Sequence, residues 1–334
     1  MSKKPRERRD RARQMLEIAR RYYLAEESKV EISQALGMSR FKVARLLQEA
    51  RESGLVRITF HHGGEVDQAL SARLGRHLGL DRAVVVEAYG SVEEVRKIVG
   101  SQAGTVLAAT VTSGETLGLA WGRTLTHMIE SIDRLPSVQI LQLNGAVGPS
   151  LSQSPVELAL KASLIGGQNA KAIMAPLYIS DQDGATAMRS QPDIKEVLEL
   201  FDTVTTAVVA VGALNADDDG STNSRLLPLL PKPVQEQLLS GGAVAEACGI
   251  TYLADGNLAH RDLFANHILA ISPAQLRRIP RVIGVASDPG KAEAILALRR
   301  ADVISELVVD ADLAEALLAL PSFVRGRDEA PWPG

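Results

Sequence analysis

Gly122-Arg123-Thr124 sets a residue without Cβ, a cation and a hydroxyl side by side, directly after the apolar run 116–121. Together they can hold an anion through backbone N–H groups, guanidinium and hydroxyl. Related chemistry follows three other apolar runs, at Asn144-Gly145, at Gly212-Ala213 and at Ser287-Asp288-Pro289-Gly290-Lys291. Lys291 falls in the first turn of the next expected helix, where a cation opposes the helix dipole unless an anion lies between them. Taken singly, a glycine after a strand only marks a turn. Jointly these loops point to an anionic or polyhydroxy ligand held at strand ends.

Patterns that would make such loops catalytic are missing from the sequence. No G-x-G-x-x-G follows an apolar run, and neither H-E-x-x-H nor G-x-S-x-G occurs. Gly290-Lys291 has the ending of a P-loop, but Val285 stands where its first glycine belongs and Ala292 where a hydroxyl would hold magnesium. Asp217-Asp218-Asp219-Gly220 lacks the alternation of a calcium loop. His61-His62 has no second ligand pair at a zinc spacing, and Cys248 is the only cysteine. No cofactor or metal is therefore expected. Asp255 and His260 are the acid–base groups available to an isomerase or deaminase, which is the alternative reading, but no spacing pairs them.

A second set of chemically active residues lies near the amino end. Residues 29–48, KVEISQALGMSRFKVARLLQ, read as a helix-turn-helix. Val30, Ile32, Leu36, Val43, Leu46 and Leu47 are apolar at helical spacing, Gly37 supplies the sharp turn, and Ser39 suits the cap of the second helix. That helix turns Arg40, Lys42, Arg45 and Gln48 outward. Arg40 and Arg45 suit guanine edges, Ser39 and Lys42 suit phosphate, and Phe41 suits a thymine methyl or packing. Residues 1–57 hold 15 Lys or Arg against 8 Asp or Glu, a charge of +7; the chain as a whole is −3, so the remainder carries −10. A basic head on an acidic body fits contact with a phosphate backbone at one end only. The cation-rich stretch 3–13 is expected to be mobile until it meets DNA, and 55–60, LVRITF, to form a small wing or an exit strand.

These residues need a framework, and the patterning supplies one. A small domain plus a large one suits 334 residues with 46% hydrophobic content; 4% aromatic content argues against single-strand binding by stacked bases. No segment has the roughly 20 apolar residues of a membrane span, so a cytoplasmic protein is expected. Residues 61–66 read as a hinge. Helical periodicity then covers 65–78 and 92–111, and strands are expected at 83–86, 116–121, 138–143, 170–177, 207–211, 282–286 and 307–309, with a last helix near 313–320. Alternating apolar strands and helices imply an α/β fold with a mainly parallel sheet covered on both faces. The expected domains are a DNA-binding domain at 1–60, a linker at 61–66, a ligand domain at 67–320 and a tail at 321–334 that adds little to the core.

Several segments resemble the SorC family of sugar-responsive bacterial transcriptional regulators, across nearly the whole chain. They are EISQALGMSRFKVARLLQEARESGLVRI, LGLAWGRTL at 117–125, LQLNGAVG at 141–148, GAVAEACGITYLADGN at 242–257 and RIPRVIGVASDPGKAEAIL at 278–296. The resemblance implies a plain or winged helix-turn-helix joined to a Rossmann-like α/β effector domain similar to sugar-phosphate isomerases and deaminases. It implies binding of a sugar, polyol or sugar phosphate without turnover, and a homodimer or homotetramer on double-stranded operator DNA. The family's W-G-R-T motif maps onto Gly122, Arg123 and Thr124 and its late-loop lysine onto Lys291; Asn144, Gly145 and Gly212 are weaker matches. His267 stands where many members place an arginine near the ligand. Imidazole carries less fixed charge and no bidentate fork, so this departure predicts a less charged ligand.

Overall fold

The computed structural model describes residues 4–56, 63–147, 154–166, 168–214 and 224–323. They divide into two compact units, Met1–His61 and His62–Gly334.

In the first unit α1 (Lys4–Tyr23) packs on α2 (Lys29–Ala35) and α3 (Arg40–Glu52). Ser28 and Glu31 cap α2 reciprocally, satisfying two of its free N–H groups. Gly37 takes a left-handed φ of 61° in the turn. Ser39 Oγ then accepts from Lys42 N at 3.3 Å and opens α3. Met15, Ile18, Ala19, Ile32, Val43, Leu46, Leu47 and Ala50 bury together as this unit's own core. Two expectations are corrected. Residues 4–13 are the first half of α1 rather than a mobile run, and α1 is tied to α3 by the bidentate pair Arg11–Glu49 at 2.7 and 2.8 Å. Val30 is 50% exposed, on the outer side of α2, and takes no part in the core. Of the expected wing at 55–60, Leu55 and Val56 form a bend rather than a strand, and residues 57–60, with His61-His62, lie outside the described residues.

The second unit opens with β1 (Gly63–Val66), α4 (Gln68–Leu78) and β2 (Arg82–Ala88). β1 pairs antiparallel with β2, so residues 63–66 are an edge strand rather than linker. Asp67 caps α4, which begins at Gln68 and not at Glu65. There follow α5 (Val92–Thr110), β3 (Thr116–Leu119), α6 (Arg123–Glu130), β4 (Gln139–Gln142), α7 (Pro155–Gly166) and β5 (Ala170–Lys171). Next come α8 (Gln182–Ser190), α9 (Pro192–Leu200), β6 (Thr206–Ala210), β7 (Gly212–Ala213), α10 (Lys232–Ser240), β8 (Ala243–Ala247) and β9 (Ile250–Leu253). The last elements are α11 (Arg261–His267), α12 (Pro273–Arg278), β10 (Arg281–Val285), α13 (Ala292–Arg300), β11 (Glu306–Asp310) and α14 (Ala311–Ala319).

Eight strands form the main sheet in the order β1-β2-β11-β10-β6-β3-β4-β5, parallel except for β1. From β3 the chain runs outward to β4 and β5; from β6 it runs the other way, to β10 and β11. The order therefore reverses between β3 and β6, and that is where open parallel sheets bind ligands, beyond the carboxyl ends of the strands. Both faces are covered by helices, and Val85, Leu117, Ile140, Val208, Ile283 and Val309 lie fully inside.

Two features depart from the sequence pattern. The expected strand 170–177 contracts to β5; within 172–177 only an isolated bridge of Pro176 to Ala146 remains. A three-stranded antiparallel sheet, β7-β8-β9, stands beside the main one. Its β8–β9 hairpin turns at Cys248-Gly249, with φ of 55° and 83°, both left-handed as a two-residue hairpin of this kind requires. The start of the tail is also more than a solvated end: Phe323 N donates to His77 O at 2.9 Å, and the Arg299 guanidinium lies 4.4 Å from its ring centre.

Candidate functional site

In the first unit the outer face of α3 carries Arg40, Phe41, Lys42, Arg45 and Gln48, all exposed, with Ser39 at its cap. Phe41 is 72% exposed and lies 5.0 Å under the Arg40 guanidinium, so it is not a core residue. Gln48 is held to Glu52 at 2.8 Å. The inner face, Val43, Leu46, Leu47 and Ala50, is wholly buried. One helix thus presents a row of long donors while its opposite face is locked in a core.

In the second unit a pocket opens at the strand reversal. It is lined by Arg96 from α5, by Trp121, Gly122, Arg123 and Thr124 after β3, and by Ala210, Val211 and Gly212 after β6. Arg225, Glu246, Cys248 and Lys291 complete the wall. Gly122 stands at the N-terminus of α6 without a side-chain cap, so the first-turn N–H groups of that helix are not taken up by one. A Cβ on Gly122 would come within 2.7 Å of Ala210 Cβ, so this approach of two strand ends requires glycine. Gly212 leaves room for Glu246: a Cβ there would meet Glu246 Oε2 at 2.6 Å.

Four cations line this space with a single carboxylate, Glu246. Arg123, Arg225 and Lys291 form no ion pair among the described residues; Arg225 lies 5.0 Å over the Trp121 ring instead. The electrostatics register the crowding. Burial lowers the pKa of Arg123, and the charges of Arg96 and Arg225 lower it further. Arg225 is lowered by burial and by Arg96. Lys291 is pushed down to about 8 by burial and by Arg96, against the pull of Asp288. Burial raises Glu246 to about 7, although Gly249 N donates to its Oε1 at 2.8 Å and Lys291 favours its charge. Burial also pushes the Cys248 thiol up, away from the reactive thiolate.

The structure therefore brings Gly122, Arg123, Thr124, Gly212 and Lys291 together, and leaves Asn144, Gly145 and His267 out. Asn144 is buried in an isolated bridge to Ala270, and its amide donates to Gly145 O. Gly145 is there for backbone approach, since a Cβ would lie 2.7 Å from Ala175 O and 2.8 Å from Leu177 N. His267 ends α11, where its Nδ1 is 2.9 Å from Ile179 O and its ring rests on Tyr178. His267 does not line this pocket, so its placement lends no support to the expectation of a less charged ligand. Sequence reasoning missed Arg96, Arg225 and Glu246. Arg96 and Glu246 lie inside a helix and a strand, where patterning assigns only periodicity. Asp255 and His260 are each occupied locally, Asp255 by Asn257 and His260 as the cap of α11, and neither lines the pocket.

One chain thus joins a helix-turn-helix unit to a parallel-sheet domain with a cationic pocket at its strand ends. The family model described as "Putative sugar-binding domain" matches residues 65–319, and the chain belongs to that family. Transcriptional regulator LsrR of Enterobacter sp. (strain 638) is 28% identical over 307 residues, covering 90% of each chain. The uncharacterized transcriptional regulator YjhU of Escherichia coli (strain K12) is 28% identical over 308 residues, covering 89% of this chain and 92% of its own. The full-length sorbitol operon regulator SorC of Klebsiella pneumoniae shares the fold, with a TM-score of 0.68 at 23% identity over 92% of this chain and 99% of that one.

Proposed function

We propose that this protein is a DNA-binding transcriptional regulator whose operator affinity is set by a phosphorylated sugar or polyol in the strand-end pocket. The observation that carries the ligand class is the set of three pocket cations, Arg123, Arg225 and Lys291, with no ion-pair partner among the described residues. Cations gathered in one recess repel one another, and a dianionic phosphate is the small group that neutralises several at once while accepting from a helix N-terminus. Glu246 beside them suits a ligand hydroxyl, as donor while protonated or as acceptor once ionised. Calorimetry with matched pairs of sugars and their phosphates tests the assignment. The phosphates should bind at least tenfold more tightly; equal affinity within a pair would overturn it.

For DNA, the exposed face of α3 is the reading surface, with Arg40 and Arg45 on base edges and Ser39, Phe41, Lys42 and Gln48 around them. Each bidentate arginine contributes about 1–3 kcal/mol of discrimination against a wrong base. Arg40→Ala and Arg45→Ala should lose operator preference in footprints while leaving phosphate-sugar binding intact; unchanged footprints would move DNA reading elsewhere. LsrR and YjhU are named transcriptional regulators over nearly their full lengths, which supports a regulatory rather than catalytic use of the pocket. A ligand acts on the operator only by binding two arrangements of the protein unequally. An even-numbered assembly, dimer or tetramer, in the cytoplasm fits a palindromic site. Absence of turnover across a panel of sugar phosphates separates this reading from an isomerase or deaminase.

A further inference from the structure

Arg96 differs from the other pocket cations in how it is held. It reaches the cavity from the second turn of α5, and its side chain is only 9% exposed. Its charge depresses Arg123, Arg225 and Lys291 alike, which makes it the neighbour these three share. One of its nitrogens, Nη1, donates to Glu93 Oε2 at 2.5 Å. The other two have no hydrogen-bond partner among the described residues, and they belong to a side chain that lines the cavity. Glu93 does not line the pocket. Its second oxygen, Oε1, lies 2.7 Å from His127 Nε2. His127 sits on α6, one turn beyond Arg123 and Thr124, so a single carboxylate joins Arg96 to the helix whose first turn borders the pocket. Both contacts hold the Glu93 carboxyl below its usual range, His127 more than Arg96.

We propose that Glu93 is a positioning residue for the anion site. It grips one edge of the Arg96 guanidinium, leaves the other edge for the ligand's anionic group, and through His127 keeps that edge in register with the start of α6. Without Glu93, a guanidinium among three other cations turns away from them, and the pocket loses its fourth donor. The inference rests on the anion-binding reading of the pocket.

The sign of one substitution decides the matter. By Coulomb's law alone, deleting a carboxylate beside a cationic pocket tightens anion binding. Positioning predicts the reverse. Inorganic phosphate is titrated into the full chain, followed by the fluorescence of Trp121 under Arg225 and checked by calorimetry. Glu93→Ala should weaken phosphate binding by about tenfold, the scale of one charge-assisted hydrogen bond lost. Glu93→Gln, which keeps an acceptor of the same length, should recover part of the loss. In an Arg96→Ala background, removing Glu93 should change nothing further, which a loosening of the α5–α6 contact in general would not reproduce. Unchanged or tighter binding by Glu93→Ala, or an equal loss in both backgrounds, overturns the role of Glu93 and leaves the pocket assignment standing. A wild-type protein with no saturable response to phosphate overturns both.

Discussion

Replacing Lys291 by Met should make the unliganded protein more stable and the pocket worse at its work. Lys291 is mostly buried, with Arg96 and Arg123 near it, and its ammonium falls from 10.5 to about 8. A lowered lysine releases its proton more easily folded than unfolded, so its charge opposes folding. That opposition is complete below about pH 8 and fades as the pH climbs towards 10.5, where the unfolded chain also loses the proton. A gap of about 2.5 pH corresponds to on the order of 3 kcal/mol at pH 7. The favourable pull of Asp288 and Glu246 is already contained in it. Methionine keeps the length of the side chain and removes the charge. Urea unfolding followed by circular dichroism at pH 7, 8, 9 and 10 should show the variant ahead at pH 7, by up to that amount, with the lead shrinking steadily above pH 8. Calorimetry should show weaker sugar-phosphate binding, and saturating ligand should reverse the order of stability by mass action. A variant less stable at pH 7, or one whose lead is as large at pH 10, refutes the argument.

Glu246→Gln probes the opposite charge. Because the carboxyl rises from 4.5 to about 7 on folding, its ionisation opposes folding above pH 7 and has no effect below 4.5, so the variant should gain stability at pH 8 and none at pH 4.5 in urea titrations. Gly145→Ala should cost about 1–3 kcal/mol in the same assay, since its Cβ meets backbone atoms of 175–177 that have no rotamer to yield. Sugar-phosphate affinity should stay within twofold, because Gly145 does not line the pocket. His267→Ala should likewise leave calorimetric affinity unchanged while lowering the melting temperature, its imidazole being engaged with Ile179 O and Tyr178.

What the sequence revealed follows from which interactions are local. The turn at Gly37 and the cap at Ser39 involve residues within a few positions of each other, and both stand where spacing put them. Parallel strands buried on both faces read as apolar runs, so the main sheet was legible to within a residue or two at most of its strands. The small sheet was not. Its hairpin turns on Cys248-Gly249 rather than an asparagine or aspartate followed by glycine, and β7 is only two residues long. Nor could spacing show that Arg96, Arg225 and Glu246 meet Arg123 and Lys291, for they converge from α5, from the segment before α10 and from β8. His267 shows the opposite error. Matching by sequence position places His267 near the ligand, whereas the fold sets its Nδ1 against Ile179 O and outside the pocket lining.

On the proposed reading, the distribution of charge also bears on how one chain would serve two kinds of phosphate. Residues 58–334 carry −10 overall, yet four cations are gathered in one recess of that acidic body. A duplex is a dense line of negative charge and meets the field of the whole body, which repels it, whereas a small phosphate meets chiefly the charges lining the recess. The +7 of residues 1–57 and the exposed cations of α3 reverse that preference at the other unit. Separation by size and field thus lets both sites be basic without competing for one another's ligand. It follows that raising the salt should weaken operator binding steeply, through counterion release, and sugar-phosphate binding only slightly. Parallel salt titrations of the two equilibria measure this, and equal slopes would show that the pocket is open to the same field as the DNA-reading face.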